Sequence, residues 1–232
     1  MEKIGFIGAF DKTDLLIYVS RILVEMNKTV LIIDATVNQK AKYVVPVISP
    51  TMSYVTDFEG IDVATGFTDY NGIKRYLGMP ESAALTYDYV LIDMDRADLI
   101  DNLGIYESTK NYFVTSSDLF SLKKGLEVLS GIKLPLQLTK IYFSNDMSEE
   151  EDKYLNYLSL GYKIQWQDEK IYFPMDSNDQ QTMIENQRSA KIRYKPLSTG
   201  YKSSLIYLAE EILNKGKTNE VKKIFKQLEK GV

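Results

Sequence analysis

A strand–helix–strand pattern over residues 3–34 limits the folds open to this chain more than any other feature. Residues 3–7 and 29–34 are short apolar runs rich in β-branched residues, and a turn at residues 8–13 follows the first of them. Apolar side chains then recur at helical spacing, at Leu15, Val19, Ile22, Leu23 and Met26. Apolar runs of this kind suit strands covered on both faces, so the pattern predicts a βαβ unit of a parallel sheet.

The turn at residues 8–13 keeps part of a phosphate-binding loop. Such a loop needs backbone N–H groups at a helix N-terminus, a lysine for the outer phosphates and a Ser or Thr hydroxyl for magnesium. Lys12 and Thr13 are placed for the last two roles. The pattern G-x-x-x-x-G-K-[ST] is broken, however, because Phe6 and Asp11 stand where it requires glycine. The alternative is an ordinary turn with Asp11 as helix N-cap and Lys12 in solvent. If the loop binds a nucleotide, we expect Lys12→Ala to abolish binding and to leave thermal stability nearly unchanged, because an exposed lysine holds little of the fold.

Two predicted strands end in an aspartate, at Asp34 and Asp93. Ligands of open parallel sheets collect at the carboxyl ends of the strands. Carboxylates there suit Mg²⁺ binding or the positioning of water. The alternative is that each aspartate caps a helix or closes a turn.

Composition excludes several classes of function. The 232 residues are 44% hydrophobic, which suffices for one substantial core. A net charge of −4 makes nucleic acid an unexpected main partner. There is no cysteine and no histidine, so no iron–sulfur cluster, no zinc site built from these residues and no Ser-His-Asp triad is expected. The chain has no apolar run of membrane-spanning length and begins without a signal peptide, so we expect a cytoplasmic protein.

The remaining chain continues the alternation of strands and helices. Further strands are predicted at residues 53–58, 87–93, 112–115, 141–143, 164–166 and 170–173, and helices at 71–77, 117–130, 148–158, 180–188 and 203–213. We therefore expect an α/β fold with a single doubly wound, mostly parallel sheet flanked by helices, over residues 1–216. Residues 217–232 are expected to form a C-terminal amphipathic basic helix.

Several motifs, in order, resemble those of the ParA/MinD family of deviant Walker-A P-loop ATPases, including its TadZ/CpaE-like members. The family loop K-G-G-x-G-K-[ST] corresponds to residues 7–13, its D-x-D-x-Q to residues 34–38, and its Y-D-[YF]-[IV]-[IVL]-[IV]-D-T-P to residues 87–95. Asn145 matches the asparagine that contacts adenine in relatives, and Pro174 with Asp176 matches the P-x-D near the base.

The resemblance implies a set of site residues. ATP or ADP with Mg²⁺ would lie against the loop and the base-binding positions, which are Gly8, Ala9, Phe10, Asp11, Lys12, Thr13, Asp14, Asn145, Pro174 and Asp176. The metal would lie near Thr13, Asp34 and Asp93. Asp34 and Asp93 are also the candidate catalytic residues.

The departures from the family pattern bear on activity. The family's first loop lysine, which reaches the nucleotide of the dimer partner, is Ile7 here. Two loop glycines are Ala9 and Asp11, and the second aspartate of D-x-D is Thr36. We therefore expect a nucleotide-binding homodimer with weak or no hydrolysis, because each lost electrostatic contact costs roughly a hundredfold or more in rate. Its role would be positioning or partition, with the protein partner of an assembly machine: a pilus, secretion or conjugation apparatus, a plasmid or a division site. The alternative is a nucleotide-free scaffold that keeps only the fold.

The last segment has an apolar and a basic face. Val221, Ile224, Phe225 and Leu228 follow helical spacing, while lysines occupy the other side. This resembles the membrane-targeting tail of MinD relatives and implies weak contact with the inner face of the membrane. The alternative is a helix that packs its stripe on the domain. Burial of Phe225 would favour the packed helix.

Overall fold

A computed structural model describes residues 1–48, 51–144, 149–214 and 216–231. The strands are β1 (Glu2–Ile7), β2 (Val30–Asp34), β3 (Tyr54–Phe58), β4 (Ile61–Thr65), β5 (Tyr89–Met94), β6 (Lys110–Ser116), β7 (Leu136–Phe143) and β8 (Ile164–Phe173). The helices are α1 (Thr13–Glu25), α2 (Ala41–Val44), α3 (Tyr70–Tyr76), α4 (Leu119–Ser130), α5 (Glu149–Leu158), α6 (Ser177–Ser189), α7 (Thr199–Ile212) and α8 (Thr218–Lys230).

All eight strands form one sheet, in the order β3-β4-β2-β5-β1-β6-β7-β8. Every neighbouring pair is parallel except β3 with β4. The predicted doubly wound, mostly parallel sheet is confirmed, and β1 lies near its centre between β5 and β6. The carboxyl ends of the parallel strands therefore meet at one edge, which brings the loops after β1, β2 and β5 together.

Helices cover both faces because alternate residues of each central strand point to opposite layers. Ile4 and Phe6 of β1 join a core with α1, α7 and α8, whereas Ile7 joins a second core with α4 and α5. This explains why the strands are continuous apolar runs without an alternation of polar residues.

Two strand predictions were wrong in detail. β4 was not predicted as a strand, and residues 164–166 and 170–173 belong to the single strand β8, whose pairing with β7 is irregular between Leu138 and Lys140. Glu59 and Gly60 both have positive φ, of 52° and 82°, and connect β3 to β4 as a two-residue hairpin turn.

The apolar stripe of α8 packs on the domain. Phe225 is 2% exposed and its ring meets that of Tyr194 edge to face at 5.2 Å, and Val221 is also buried. Phe225 is therefore buried against the domain, as the alternative of a packed C-terminal helix requires. In the part of the chain that the structure describes, no helix combines the length and apolar character needed to cross a bilayer.

Candidate functional site

The loop between β1 and α1 begins at a position that only glycine can fill. Gly8 has φ of 141°, and a Cβ atom there would lie 2.2 Å from the carbonyl oxygen of Val114 on β6. The glycine lets the chain pass over the end of β6 and deliver Thr13 to the first turn of α1. The loop therefore has the strand–turn–helix setting that a phosphate-binding loop requires.

Lys12 lies inside this loop. Its side chain is 1% exposed, and Nζ donates hydrogen bonds to the carbonyl oxygens of Gly8 (2.6 Å) and Phe10 (2.9 Å). Nζ also forms an ion pair with Asp93 Oδ1 at 3.0 Å. The prediction of a solvent-exposed lysine was wrong, because the loop folds its own carbonyl groups and a buried carboxylate around the ammonium group.

Asp11 faces the N-terminus of α1. Its Oδ1 accepts a hydrogen bond from the backbone N–H of Thr13 at 3.0 Å, and its other oxygen pairs with Lys40. Lys40 is also 3.0 Å from Asp14 Oδ2, so it bridges two carboxylates. Burial raises the pKa of Asp11, but Lys40 and the Thr13 N–H outweigh it and hold the pKa below its usual value. Asp11 therefore carries a full negative charge at neutral pH.

Asp34 and Asp93 are buried neighbours in the register of β2 and β5. Asp34 accepts hydrogen bonds from Thr36 N (3.1 Å), Thr36 Oγ1 (2.6 Å) and Ala41 N (3.0 Å), so it closes the loop that leads to α2. Both carboxylate oxygens of Asp34 therefore accept hydrogen bonds from this loop, which is the alternative role, closing a turn, that the sequence analysis gave for this aspartate.

Asp93 has a weaker set of contacts than Asp34: its Oδ1 lies 3.0 Å from Lys12 Nζ. Burial raises its pKa to about 7; the charge of Lys12 opposes this increase and that of Asp34 adds to it. Across the described ranges, no group of three or more His, Cys, Asp or Glu side chains is arranged to hold a metal ion.

Two clefts meet at the loop. A polar cleft of about 450 Å³ is lined by Lys12, Thr13, Asp93 and Asp95, and a more apolar one of about 260 Å³ by Leu15, Phe143, Pro174, Met183 and Tyr201. Phe10, Asp11 and Lys40 line both. The ring of Phe10 stacks on that of Phe143 at 4.5 Å.

The structure brings most of the residues predicted from the sequence to these clefts. Pro174 and Asp176 line the apolar cleft, where Asp176 also caps α6 by accepting from Asn178 N at 2.7 Å. Asp14 lines it too and accepts hydrogen bonds from Gln187 Nε2 at 2.9 Å. Asn145 lies outside the described residues.

Sequence reasoning missed three residues of this region. Lys40, Phe143 and Gln187 come from distant segments that no local motif connects to the loop. The aromatic end of β7 was the one available signal, because that strand was predicted to finish at the ligand-binding edge of the sheet.

Solved structures with this architecture cover almost the whole chain. A ParA family ATPase from Chlorobium tepidum TLS has a TM-score of 0.56 at 15% identity, over 89% of this chain and 96% of its own. The fold is that of the ParA and MinD ATPases. The MinC:MinD cell division protein complex of Aquifex aeolicus gives a TM-score of 0.58 at 12% identity, over 93% of this chain and 97% of the matched one.

A third structure was solved with a nucleotide analogue. It is a putative plasmid partition protein from Borrelia burgdorferi B31 bound to AMPPNP, with a TM-score of 0.56 at 12% identity, over 91% of this chain and 98% of its own. No family model matches the chain, and no curated protein matches it in sequence. At these identities the similarity establishes the ParA/MinD-type fold alone.

The two clefts differ in how well their residues would suit a nucleotide. The apolar cleft next to Pro174 and Tyr201 is lined by aromatic and aliphatic side chains, a lining that suits a flat apolar group such as a base. On the phosphate side, Lys12 and the N–H of Thr13 are in place, but each contacts an aspartate of the chain itself.

Proposed function

We propose that this chain is a ParA/MinD-like nucleotide-binding protein that acts in positioning or partition and hydrolyses ATP slowly or not at all. The observation that carries the proposal is the meeting of a polar and an apolar cleft at the loop that holds Lys12. Lys12 and Thr13 would hold the phosphates and Pro174 would lie near the base. Thr13, Asp34 and Asp93 would lie near Mg²⁺, which when bound neutralises phosphate charge.

The surroundings of the loop support slow turnover. Ile7, at the position of the family's cross-dimer lysine, is fully buried in the sheet, so this position offers a partner no charge. The pKa of Asp93, raised to about 7, leaves this candidate catalytic carboxyl partly protonated at neutral pH. The family resemblance implies that hydrolysis would need a cross-dimer cation, an unobstructed loop and a carboxylate that orients water.

Calorimetry with ATP and ADP, with and without Mg²⁺, tests nucleotide binding. We expect binding that Lys12→Met abolishes and that Lys123→Met, a change of an exposed lysine on α4, leaves unchanged. A rate of ATP hydrolysis of many per second would contradict slow turnover. If the wild-type chain has no affinity for either nucleotide at millimolar concentration, nucleotide binding is excluded.

The second candidate function is a nucleotide-free scaffold. It is favoured by the two contacts in which Asp11 and Asp93 engage the groups that a phosphate would use. Under this alternative, the fold presents a surface to a protein partner of an assembly machine, and the loop serves only the stability of the domain.

We also propose a homodimer that forms at the carboxyl edge of the sheet. Large apolar side chains are exposed there, on the segments that follow β2 and β6: Val37, Tyr43, Leu119 and Phe120. Tyr43 is 83% exposed and lines the polar cleft, so a partner covering it would also cover the loop. Light scattering with and without Mg-ATP tests this proposal, and a monomer at all concentrations would exclude it.

Membrane attachment through α8 is a separate part of the proposal. The apolar stripe of α8 is packed on the domain, so only the exposed lysines of this helix are left to contact a membrane. We propose that a cytoplasmic protein would attach weakly through them to the inner face of the membrane. Sedimentation with anionic liposomes tests attachment: if the full-length chain stays in the supernatant, α8 is solely a structural helix.

A further inference from the structure

The loop offers an anion two kinds of group, and both contact carboxylates of the chain. The backbone N–H of Thr13, at the start of α1, donates to Asp11 Oδ1 at 3.0 Å. The ammonium group of Lys12 pairs with Asp93 Oδ1 at 3.0 Å. The two carboxylates come from different parts of the chain, Asp11 from the loop itself and Asp93 from β5.

The Asp11 carboxylate is fixed in place by a chain of further contacts. Lys40, just before α2, pairs with Asp11 and also with Asp14, which in turn accepts two hydrogen bonds from Gln187 of α6. Gln39, which precedes Lys40, has a left-handed φ of 47°, a conformation that non-glycine residues adopt at a cost. Lys40 thus holds the Asp11 carboxylate directly, and Lys40 is itself held by Asp14 of α1, which Gln187 of α6 contacts in turn.

We propose that Asp11 is an internal anion that occupies part of the phosphate position, and that it is the residue which determines how tightly this site binds nucleotides. The inference rests on the proposed function. A ligand with a diphosphate or triphosphate chain enters only as the carboxylate withdraws from the Thr13 N–H. Lys40 lines both clefts, so the withdrawal also frees a cation that can meet the incoming phosphates.

Inorganic pyrophosphate and ADP, titrated by calorimetry into the full-length chain, test the inference. Asp11→Ala removes the carboxylate and keeps a side chain with ordinary backbone preferences. We expect it to bind pyrophosphate roughly tenfold to a hundredfold more tightly than wild type, because a hydrogen bond to a charged group no longer has to be broken. Asp11→Asn keeps an acceptor for the Thr13 N–H without the charge and is expected to give a smaller gain.

Asp95→Ala is the matched control. Asp95 lines the same polar cleft and accepts from Val37 N at 2.9 Å, so its removal takes one negative charge from the cleft without touching the loop. If Asp95→Ala gained as much pyrophosphate affinity as Asp11→Ala, the effect would come from removing any negative charge near the phosphates, and the inference would be overturned. The absence of any gain for Asp11→Ala would overturn it too, and if that variant does not fold, the absence of a gain for Asp11→Asn decides.

The pyrophosphate and ADP readings separate this inference from the proposed function. If Asp11→Ala binds pyrophosphate more tightly while neither it nor wild type binds ADP, the internal anion stands and nucleotide binding fails. If wild type binds ADP and Asp11→Ala binds both probes no more tightly, the proposed function stands and the internal anion fails.

Discussion

Two buried lysine–aspartate pairs in this molecule differ in how completely the aspartate is satisfied. At the candidate site, Lys12 pairs with Asp93, and burial raises the pKa of Asp93 to about 7. Between β7, β8 and α5, Lys140 pairs with Asp152 at 2.6 Å, and Lys170 reaches its other oxygen at 2.6 Å. Burial also acts on Asp152, but its hydrogen-bond donors lower its pKa to about 2.

The number of donors accounts for the difference. Asp152 receives two ammonium groups and the hydroxyl of Tyr142, at 2.7 Å. Asp93 has one lysine, which shares its charge with two carbonyl groups, and a second carboxylate, Asp34, beside it. A fully satisfied pair behaves as a fixed part of the structure, whereas an undersatisfied pair titrates near neutral pH, as groups at functional sites often do.

Removing Asp152 is expected to have the largest effect. Asp152→Ala leaves Lys140 buried beside Lys170 with no carboxylate between them. Breaking a buried pair in this way costs roughly 3–5 kcal/mol of stability. Urea unfolding at pH 7 measures the change, and a loss below about 1 kcal/mol would mean that the network contributes little.

Lys12→Met is expected to lower stability by less than Asp152→Ala, roughly 1.5–3 kcal/mol at pH 7. The reason is that Asp93, without its lysine partner, can take up a proton. The cost should rise with pH, because protonation of Asp93 becomes harder. Unfolding at pH 6 and pH 8, with Lys123→Met as the control, measures it. A pH-independent cost would show that Asp93 does not titrate in this range.

Asp93→Asn should change how stability depends on pH. The folded pKa of Asp93, about 7, lies above the unfolded value of about 3.9, so the folded state binds the extra proton between these values. Its stabilising contribution is complete below about pH 4 and is lost as pH rises through 7, by at most about 1.4 kcal/mol per pH unit. The asparagine variant should lack this decline, as thermal melts from pH 5 to 8 would reveal. The contribution of Asp152 is also stabilising but depends on pH in the opposite direction: it is complete above about pH 4 and is lost as pH falls toward 2.

The smallest effect is expected for Lys40→Ala. The Lys40 side chain is 34% exposed, and ion pairs of exposed groups contribute about 0–1 kcal/mol. Thermal unfolding should therefore change little, even though the contact with Asp11 disappears. A loss comparable to that of Lys12→Met would indicate that the contacts of Lys40 with Asp11 and Asp14 contribute more than exposed ion pairs usually do.

The sequence predicted the central sheet well because its strands are local apolar runs. It missed β4, whose Glu59-Gly60 turn has a glycine at the second position but lacks the Asn or Asp that usually marks such hairpins. It divided β8 because Gln167, Asp168 and Glu169 interrupt the apolar pattern. An edge strand tolerates such residues, and no local signal distinguishes that case from a loop.

The site was predictable in outline and not in its contacts. The lysine, the loop glycine and the two strand-end aspartates each follow a local pattern. The pairing of Lys12 with Asp93 joins residues 81 positions apart, and that of Lys40 with Asp11 joins residues 29 apart. Such contacts depend on the strand order, which brings β5 next to β1 and β2 and which the separate motifs do not specify.

The charged residues that divided β8 into two predicted strands also affect the edge of the sheet. β8 is one of the two outer strands of the sheet. A strand from another molecule that paired with it would have to accommodate Asp168, Glu169 and Lys170 and the irregular pairing of β8 with β7 between Leu138 and Lys140. Charged residues and irregular pairing on an edge strand discourage strand addition. The sheet is thereby protected against growth into aggregates along this edge.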